Sequence, residues 1–351
     1  MRSCDNSPQK ILVIRTDRIG DVVLTTPALR VLRCHFPEAR IGLLVAPATL
    51  DLVRGHPDVD EVFVDDRSGR HAGIPGFWRL LRDIRRERFD VVINFHPKKR
   101  TNLLSFFSGI PRRIGYANDK FGCLLTDRVP DIRPQGQTHE ARYCLELLEC
   151  LGVSSDQDLV LRIVLQQDAE QQAGPLLESF EAMPGSKKII ALHLGASCPS
   201  KRWPIRYFAD VVRGIAQRFP AVFCIVGTQD QVDLAVALRT ELGSSVVVHD
   251  MLGRTSVALM CSLINRCDLL ISNDSGPVHV AAALGVPVIS IFTRNQPGIN
   301  PERWRPLGPK SHYLAPPLDL RPDFSRGRPD DRIDRPEVQP QQVLDLVDAL
   351  F

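Results

Sequence analysis

Residues 269–292, LLISNDSGPVHVAAALGVPVISIF, constrain the fold of this chain more than any other stretch. An apolar run gives way to the polar turn Ser272-Asn273-Asp274-Ser275-Gly276. An Ala-rich helical pattern follows, Gly285 stops it, and a second apolar run resumes at 286–292. Two strands joined through a helix pair in parallel, and a parallel sheet carries such loops at the carboxyl ends of its strands. There the next helix offers unpaired N–H groups and the positive end of its dipole. The natural guest of this turn is therefore an anion, most simply a phosphate.

The same alternation runs along the whole chain. Residues 10–15 form a short apolar strand, a helical pattern covers about 22–34, and strands at 39–45 and 61–64 flank a helical piece near 50–54. Helix 76–88, strand 89–95 and helix 140–151 complete a first half, and 166–186 reads as a variable connector. Beyond it come strand 188–194, helix 205–218, strand 221–226, helix 231–242, strand 245–249 and helix 256–266, leading into 269–292. This predicts an α/β protein of two Rossmann-like, doubly wound domains, residues 1–170 and 171–351, facing each other across a cleft. Residues 318–340, dense in Arg, Asp and Pro, read as a surface loop. Residues 340–351 form an amphipathic helix, a candidate to pack back on the N-terminal domain.

A chain of 351 residues suits two domains better than one core, and 44% hydrophobic with 24% charged residues is ordinary for a globular protein. A net charge of +3 gives no reason to expect nucleic acid. Residues 1–150 hold 24 Lys and Arg against 19 Asp and Glu, leaving 20 against 22 for the rest; the basic first half suits an acidic partner. Nine cysteines without a C-x-x-C pair read as reduced, mostly buried thiols of a cytosolic protein. The N-terminus lacks a signal-like apolar segment and no stretch reaches membrane-span length, so membrane association is expected to be peripheral.

Three loops could carry chemistry. RTDRIGDVV, after the first strand, has one glycine where a dinucleotide loop needs three, so a nicotinamide cofactor is disfavoured. Asp17 or Asp21 there is a helix cap, or a carboxylate able to take a proton from a substrate hydroxyl. HLGASCPSKRWP, after strand 188–194, combines small residues at Gly195, Ala196 and Ser197 with the donors Ser200, Lys201 and Arg202. An exposed basic turn is the alternative. In the third loop, Asp274, Ser275, Gly276 and His279 form a compact set of donors and acceptors suited to a sugar diphosphate. The strand end Val226-Gly227-Thr228-Gln229-Asp230 is a candidate nucleoside contact.

With ILVIRTDRIGDVVLTTPAL, SKRWP and NDSGPVHVAAALGVPVISIF in these places, the chain resembles glycosyltransferase family 9, the ADP-heptose:lipopolysaccharide heptosyltransferases, over nearly its whole length. The resemblance implies a GT-B architecture, with acceptor on the N-terminal domain and nucleotide sugar on the C-terminal one. It implies an inverting transferase moving heptose from ADP-heptose to the lipopolysaccharide inner core at the cytoplasmic side of the inner membrane, with no resident metal or other cofactor. By position Asp21 takes the place of the general base. Ser197 and Lys201 match groups at the donor phosphates, Asp274 the acid that meets the sugar, and Ser275, Gly276 and His279 the diphosphate cradle. Without a metal, the helix N-termini, Lys201 and His279 must supply the positive field. Lys98, Lys99, Arg100, Arg112 and Arg113 are candidates for the anionic acceptor, a solvated basic face being the alternative. The chain departs from the family pattern at Thr293-Arg294-Asn295-Gln296-Pro297 and at Gln229, near the donor. Transfer from another nucleotide sugar, or binding without catalysis, are the competing readings.

Overall fold

The computed structural model describes residues 7–181, 187–319 and 337–351, and the chain divides into two compact units. One comprises Met1–Pro134 and Glu140–Val164, the other Gln135–His139 and Leu165–Phe351. The change of unit thus falls six residues before the expected 170. Residues 135–139 belong to the second unit, where Asn300 Nδ2 donates to Gly136 O at 3.0 Å.

The first unit runs β1 (Lys10–Ile14), α1 (Ile19–Val23), α2 (Thr26–His35), β2 (Arg40–Val45), α3 (Leu50–Val53), β3 (Glu61–Val64), α4 (Gly73–Glu87), β4 (Val91–Asn94), α5 (Lys99–Phe107), β5 (Arg112–Ala117), β6 (Asp127–Pro130) and α6 (Glu140–Leu148). All its strand pairings are parallel, in the order β3-β2-β1-β4-β5-β6. β1 is buried on both faces, as a central parallel strand must be. The single helix expected over 22–34 breaks in two. Pro27 has no N–H to give the preceding turn, and the Thr25 and Thr26 hydroxyls donate to Asp21 O (2.9 Å) and Val23 O (2.7 Å) instead.

The second unit runs α7 (Gln167–Glu181), β7 (Lys188–His193), α8 (Ile205–Arg218), β8 (Ala221–Ile225), α9 (Val232–Leu242), β9 (Val248–Asp250), α10 (Val257–Asn265), β10 (Leu269–Asn273), α11 (Gly276–Leu284), β11 (Val288–Ile291), α12 (Pro301–Trp304), β12 (Ser311–Leu314) and α13 (Pro340–Leu350). Its parallel sheet, β12-β11-β10-β7-β8-β9, repeats the order of the first with the strands renumbered. The expected connector at 166–186 is largely helix α7, packed on α10; Gly174-Pro175 at its middle hides the helical pattern. α13 packs on α8 of its own unit through Val343, Leu344 and Val347. Gly214 of α8 makes room for it: a Cβ there would stand 2.7 Å from Leu344 Cδ1. Most of the expected loop at 318–340, together with Cys4, lies outside the described residues.

Candidate active site

In each sheet the strand order reverses beside the first strand, between β1 and β4 and between β7 and β10. Loops leaving neighbouring strands in opposite directions open a crevice at the carboxyl edge, the place where doubly wound folds bind ligands. All three chemically suggestive loops emerge at these two points.

In the first unit the loop after β1 is built around Arg15, which is 2% exposed. Its Nη1 donates to Phe95 O at 3.1 Å, at the end of β4. Its Nη2 reaches Asp21 Oδ1 at 2.6 Å and Glu140 Oε1 at 3.0 Å, and its Nε stands 3.0 Å from Asp17 Oδ1. One guanidinium thus serves three carboxylates, two from its own loop and one from the start of α6. Burial, with Asp21 and Glu140 adding to it and Arg15 opposing, raises Asp17 to about 7. Asp21 Oδ2 has no hydrogen-bond partner among the described residues. Beside this cluster Arg67 donates to Thr16 Oγ1 (2.8 Å), which lies 3.0 Å from His96 Nδ1. Burial, aided by Arg15 and Arg67, depresses His96 to about 3, so its ring is neutral.

In the second unit Asn273, the last residue of β10 and fully buried, joins the two loops of the crevice. Its Oδ1 accepts from Trp203 N at 2.8 Å and its Nδ2 donates to Leu194 O at 2.7 Å. Trp203, 1% exposed, anchors the same loop in the core, packing edge-on against Phe208 and donating from Nε1 to Val338 O at 2.9 Å. So held, the turn Pro199–Lys201 brings Lys201 Nζ to 2.5 Å from Asp274 Oδ2, beside the amino end of α11. A Cβ on Gly195 would fall 2.3 Å from Gln231 Cδ, so a larger residue there would have to push the end of that side chain aside. Thr293 and Arg294, after β11, close the third side: Thr293 Oγ1 donates to Ser200 O (2.8 Å) and Arg294 Nη1 to Ser200 Oγ (3.1 Å).

Residues 77–333 match the profile of glycosyltransferase family 9 (heptosyltransferase). The chain belongs to that family. It is similar to lipopolysaccharide heptosyltransferase 2 of Escherichia coli K12, with 25% identity over 353 residues covering 97% of this chain and 98% of the relative. Among solved structures, a family 9 glycosyl transferase from Veillonella parvula matches with a TM-score of 0.80 and 25% identity, covering 97% of both chains. The E. coli ADP-heptose lps heptosyltransferase II matches with a TM-score of 0.76 and 22% identity, over 97% and 98%. The two Rossmann-like units are thus those of a GT-B glycosyltransferase.

Within this glycosyltransferase the site residues expected from sequence fall into separate groups. Asp21 lies in the first unit's crevice; Lys201, Asp274, Ser275, Gly276 and His279 cluster at the start of α11. Ser197 is exposed on the neighbouring loop. Ser275 is already engaged, its Oγ 3.0 Å from both His193 Nδ1 and Ser272 Oγ. In the free chain His279 is a neutral ring: it is 3% exposed, and burial, reinforced by His139 and Lys201, depresses it to about 3. Its Nδ1 is buried without a hydrogen-bond partner among the described residues. Arg294, in the segment that departs from the family pattern, is a guanidinium the sequence reading did not use. Gln229 packs against Gly253, while Gln231, two residues on, lies against Gly195.

The five basic residues proposed for the acceptor do not form one patch. Arg112 and Arg113 begin β5, at the amino edge of a parallel sheet, opposite the crevice. Arg112 pairs with Asp127, and Arg113 donates to the carbonyls of Ile110 and Leu124. Arg100 is bound bidentately to Asp65, at 2.8 and 2.9 Å. Lys98 and Lys99, at the start of α5, are exposed at the crevice edge of the sheet. His193, Arg15 and Glu140 were missed because each looks like an ordinary strand or helix residue until its partner from a distant element is known, and Asn273 was read only as part of the polar turn, not as the link between two loops.

Proposed function

We propose that this glycosyltransferase takes a heptose from ADP-heptose and places it, with inversion at the anomeric carbon, on the inner core of a lipopolysaccharide, working peripherally at the cytoplasmic face of the inner membrane. The observation that supports this best is the Lys201 ammonium 2.5 Å from the Asp274 carboxylate beside the amino end of α11. A diphosphate at that helix start meets unpaired N–H groups and a cation, while Asp274 is left to accept from sugar hydroxyls. In this reading Asp21 Oδ2 takes the proton of an acceptor hydroxyl. The oxygen forms its bond to the anomeric carbon from the face opposite the nucleotide. The carbon–oxygen bond to the diphosphate breaks with its electron pair going to ADP. Lys201, Arg294 and the α11 N–H groups stabilise the charge on the leaving group, so the reaction needs no resident metal. Lys98 and Lys99 are the remaining basic candidates for the anionic acceptor.

The test is release of ADP from ADP-heptose in the presence of a core acceptor by purified protein, with Asp21→Ala as control. No release from the intact protein, or full rate from the variant, would overturn the reading. A thermal-shift panel of ADP, UDP and GDP separates it from transfer of another nucleotide sugar: stabilisation by UDP or GDP alone points to a different donor.

A further inference from the structure

α5 turns a mixed face inward, Leu104 to the core beside three polar residues. It buries Thr101, Asn102 and Ser105, each 1% exposed, and Asn94 Nδ2 donates to Asn102 Oδ1 at 2.6 Å and to Thr101 Oγ1 at 3.2 Å. The polar face is thus satisfied by the end of β4, and Phe106 and Phe107, each 41% exposed, point outward. They meet a second set of exposed apolar residues on α4. Trp78 is 50% exposed with its ring 6.0 Å from that of Phe107, and Ile74 is 76% exposed one turn earlier. Folding gains nothing from leaving three aromatic rings and an isoleucine together in water.

α4 carries four arginines, Arg79, Arg82, Arg85 and Arg86, with Arg88 following as its C-cap, against two acids, Asp83 and Glu87. Arg82, Arg85, Arg86 and Arg88 line one groove with Trp78. Asp83 pairs with Arg70 at 2.8 Å and lies 4.0 and 3.8 Å from Arg82 and Arg86. Glu87 faces Arg40, 3.5 Å away. An apolar cluster with an indole at its centre, bordered by guanidinium groups, is the chemistry of a surface that sits at the headgroup level of an anionic bilayer.

We infer that the α4–α5 face, with Trp78, Phe106 and Phe107 inserted and Arg82, Arg85, Arg86 and Arg88 on phosphates, docks this enzyme on an anionic lipid surface. The inference rests on the reading above in that a lipid-anchored acceptor requires such a surface, but its test does not. Sedimentation with phosphatidylethanolamine–phosphatidylglycerol vesicles, compared with phosphatidylcholine vesicles, uses the full chain and no sugar donor. Binding to the anionic vesicles only is expected, falling as salt rises. Arg82→Ser with Arg86→Ser should weaken it about twenty-five-fold, at about fivefold per charge. Trp78→Ala with Phe107→Ala should abolish it while turnover on a soluble acceptor fragment stays at the wild-type level. Equal binding to both vesicle types, binding to neither, or variants that bind as the wild type would overturn the proposal. So would self-association lost in the aromatic variant with vesicle binding intact, which would make the face a protein interface. If the aromatic variant does not fold, the arginine variant decides. Vesicle binding without any heptosyl turnover would overturn the donor and acceptor reading and leave this one standing.

Discussion

Arg15 Nη2 lies 2.6 Å from Asp21 Oδ1, and the same buried guanidinium holds Asp17 and Glu140. Asp21 is therefore fixed through one carboxylate oxygen, and in the proposed reaction the other meets the acceptor hydroxyl. Asp21→Asn keeps the shape and removes the base. Its kcat should fall by roughly 10²–10⁴-fold, with ADP affinity by calorimetry unchanged, because the groups read as holding the nucleotide lie in the other unit.

Arg15→Met removes the cation and leaves three carboxylates facing one another. A loss of about 3–5 kcal/mol in the stability of the first unit is expected in urea unfolding at neutral pH. Because the damage is charge repulsion, lowering the pH should recover part of it. A loss that did not respond to pH would assign Arg15 a packing role only.

Asp17 has a folded value of about 7, above the ordinary 3.8. The native state therefore holds this proton more tightly than the unfolded chain. Through Asp17, stability is highest below pH 4, falls as pH rises through the interval to about 7, and is level above it. Asp17→Asn removes that dependence. At pH 8 it should be the more stable protein, by on the order of 1–2 kcal/mol, as read by denaturant midpoints at pH 5 and about pH 8.

Lys201→Ala should weaken ADP binding by roughly tenfold or more, as loss of a charge-assisted contact implies. Lys201→Arg keeps the charge and should restore part of the affinity. Isothermal titration with ADP checks both, and undiminished binding by the alanine variant would move the diphosphate away from α11.

His193 and His279 are buried and held to about 4 and about 3, so both rings stay neutral at physiological pH. NMR of labelled histidine should show neither titrating between about pH 5.5 and 8. The sign for stability is opposite to that of Asp17. These histidines protonate in the unfolded chain first, so the second unit should lose stability as pH falls from about 6.5 towards 4. ADP affinity should not follow the charge of His279 in that range.

What the sequence determined by itself was the α/β class, two doubly wound units, and the loops at which chemistry collects: 15–21, 194–203 and 273–279. Alternating apolar period and turn residues are local properties, and they are enough to place strands, helices and the carboxyl-edge loops between them. Where the local pattern is mixed or interrupted it is not enough: α5, with Leu104 and three polar residues buried together, goes unassigned, and α7, with Gly174-Pro175 at its middle, reads as a connector. The tertiary structure decided the charge states and the partners. Glu140, 125 residues from Arg15, completes the cluster that raises Asp17. Asp65 occupies Arg100, and burial turns His279 from an expected cation into a neutral ring. Charge depends on burial and on what distant elements bring within a few ångströms, and no residue's own neighbours along the chain carry that information.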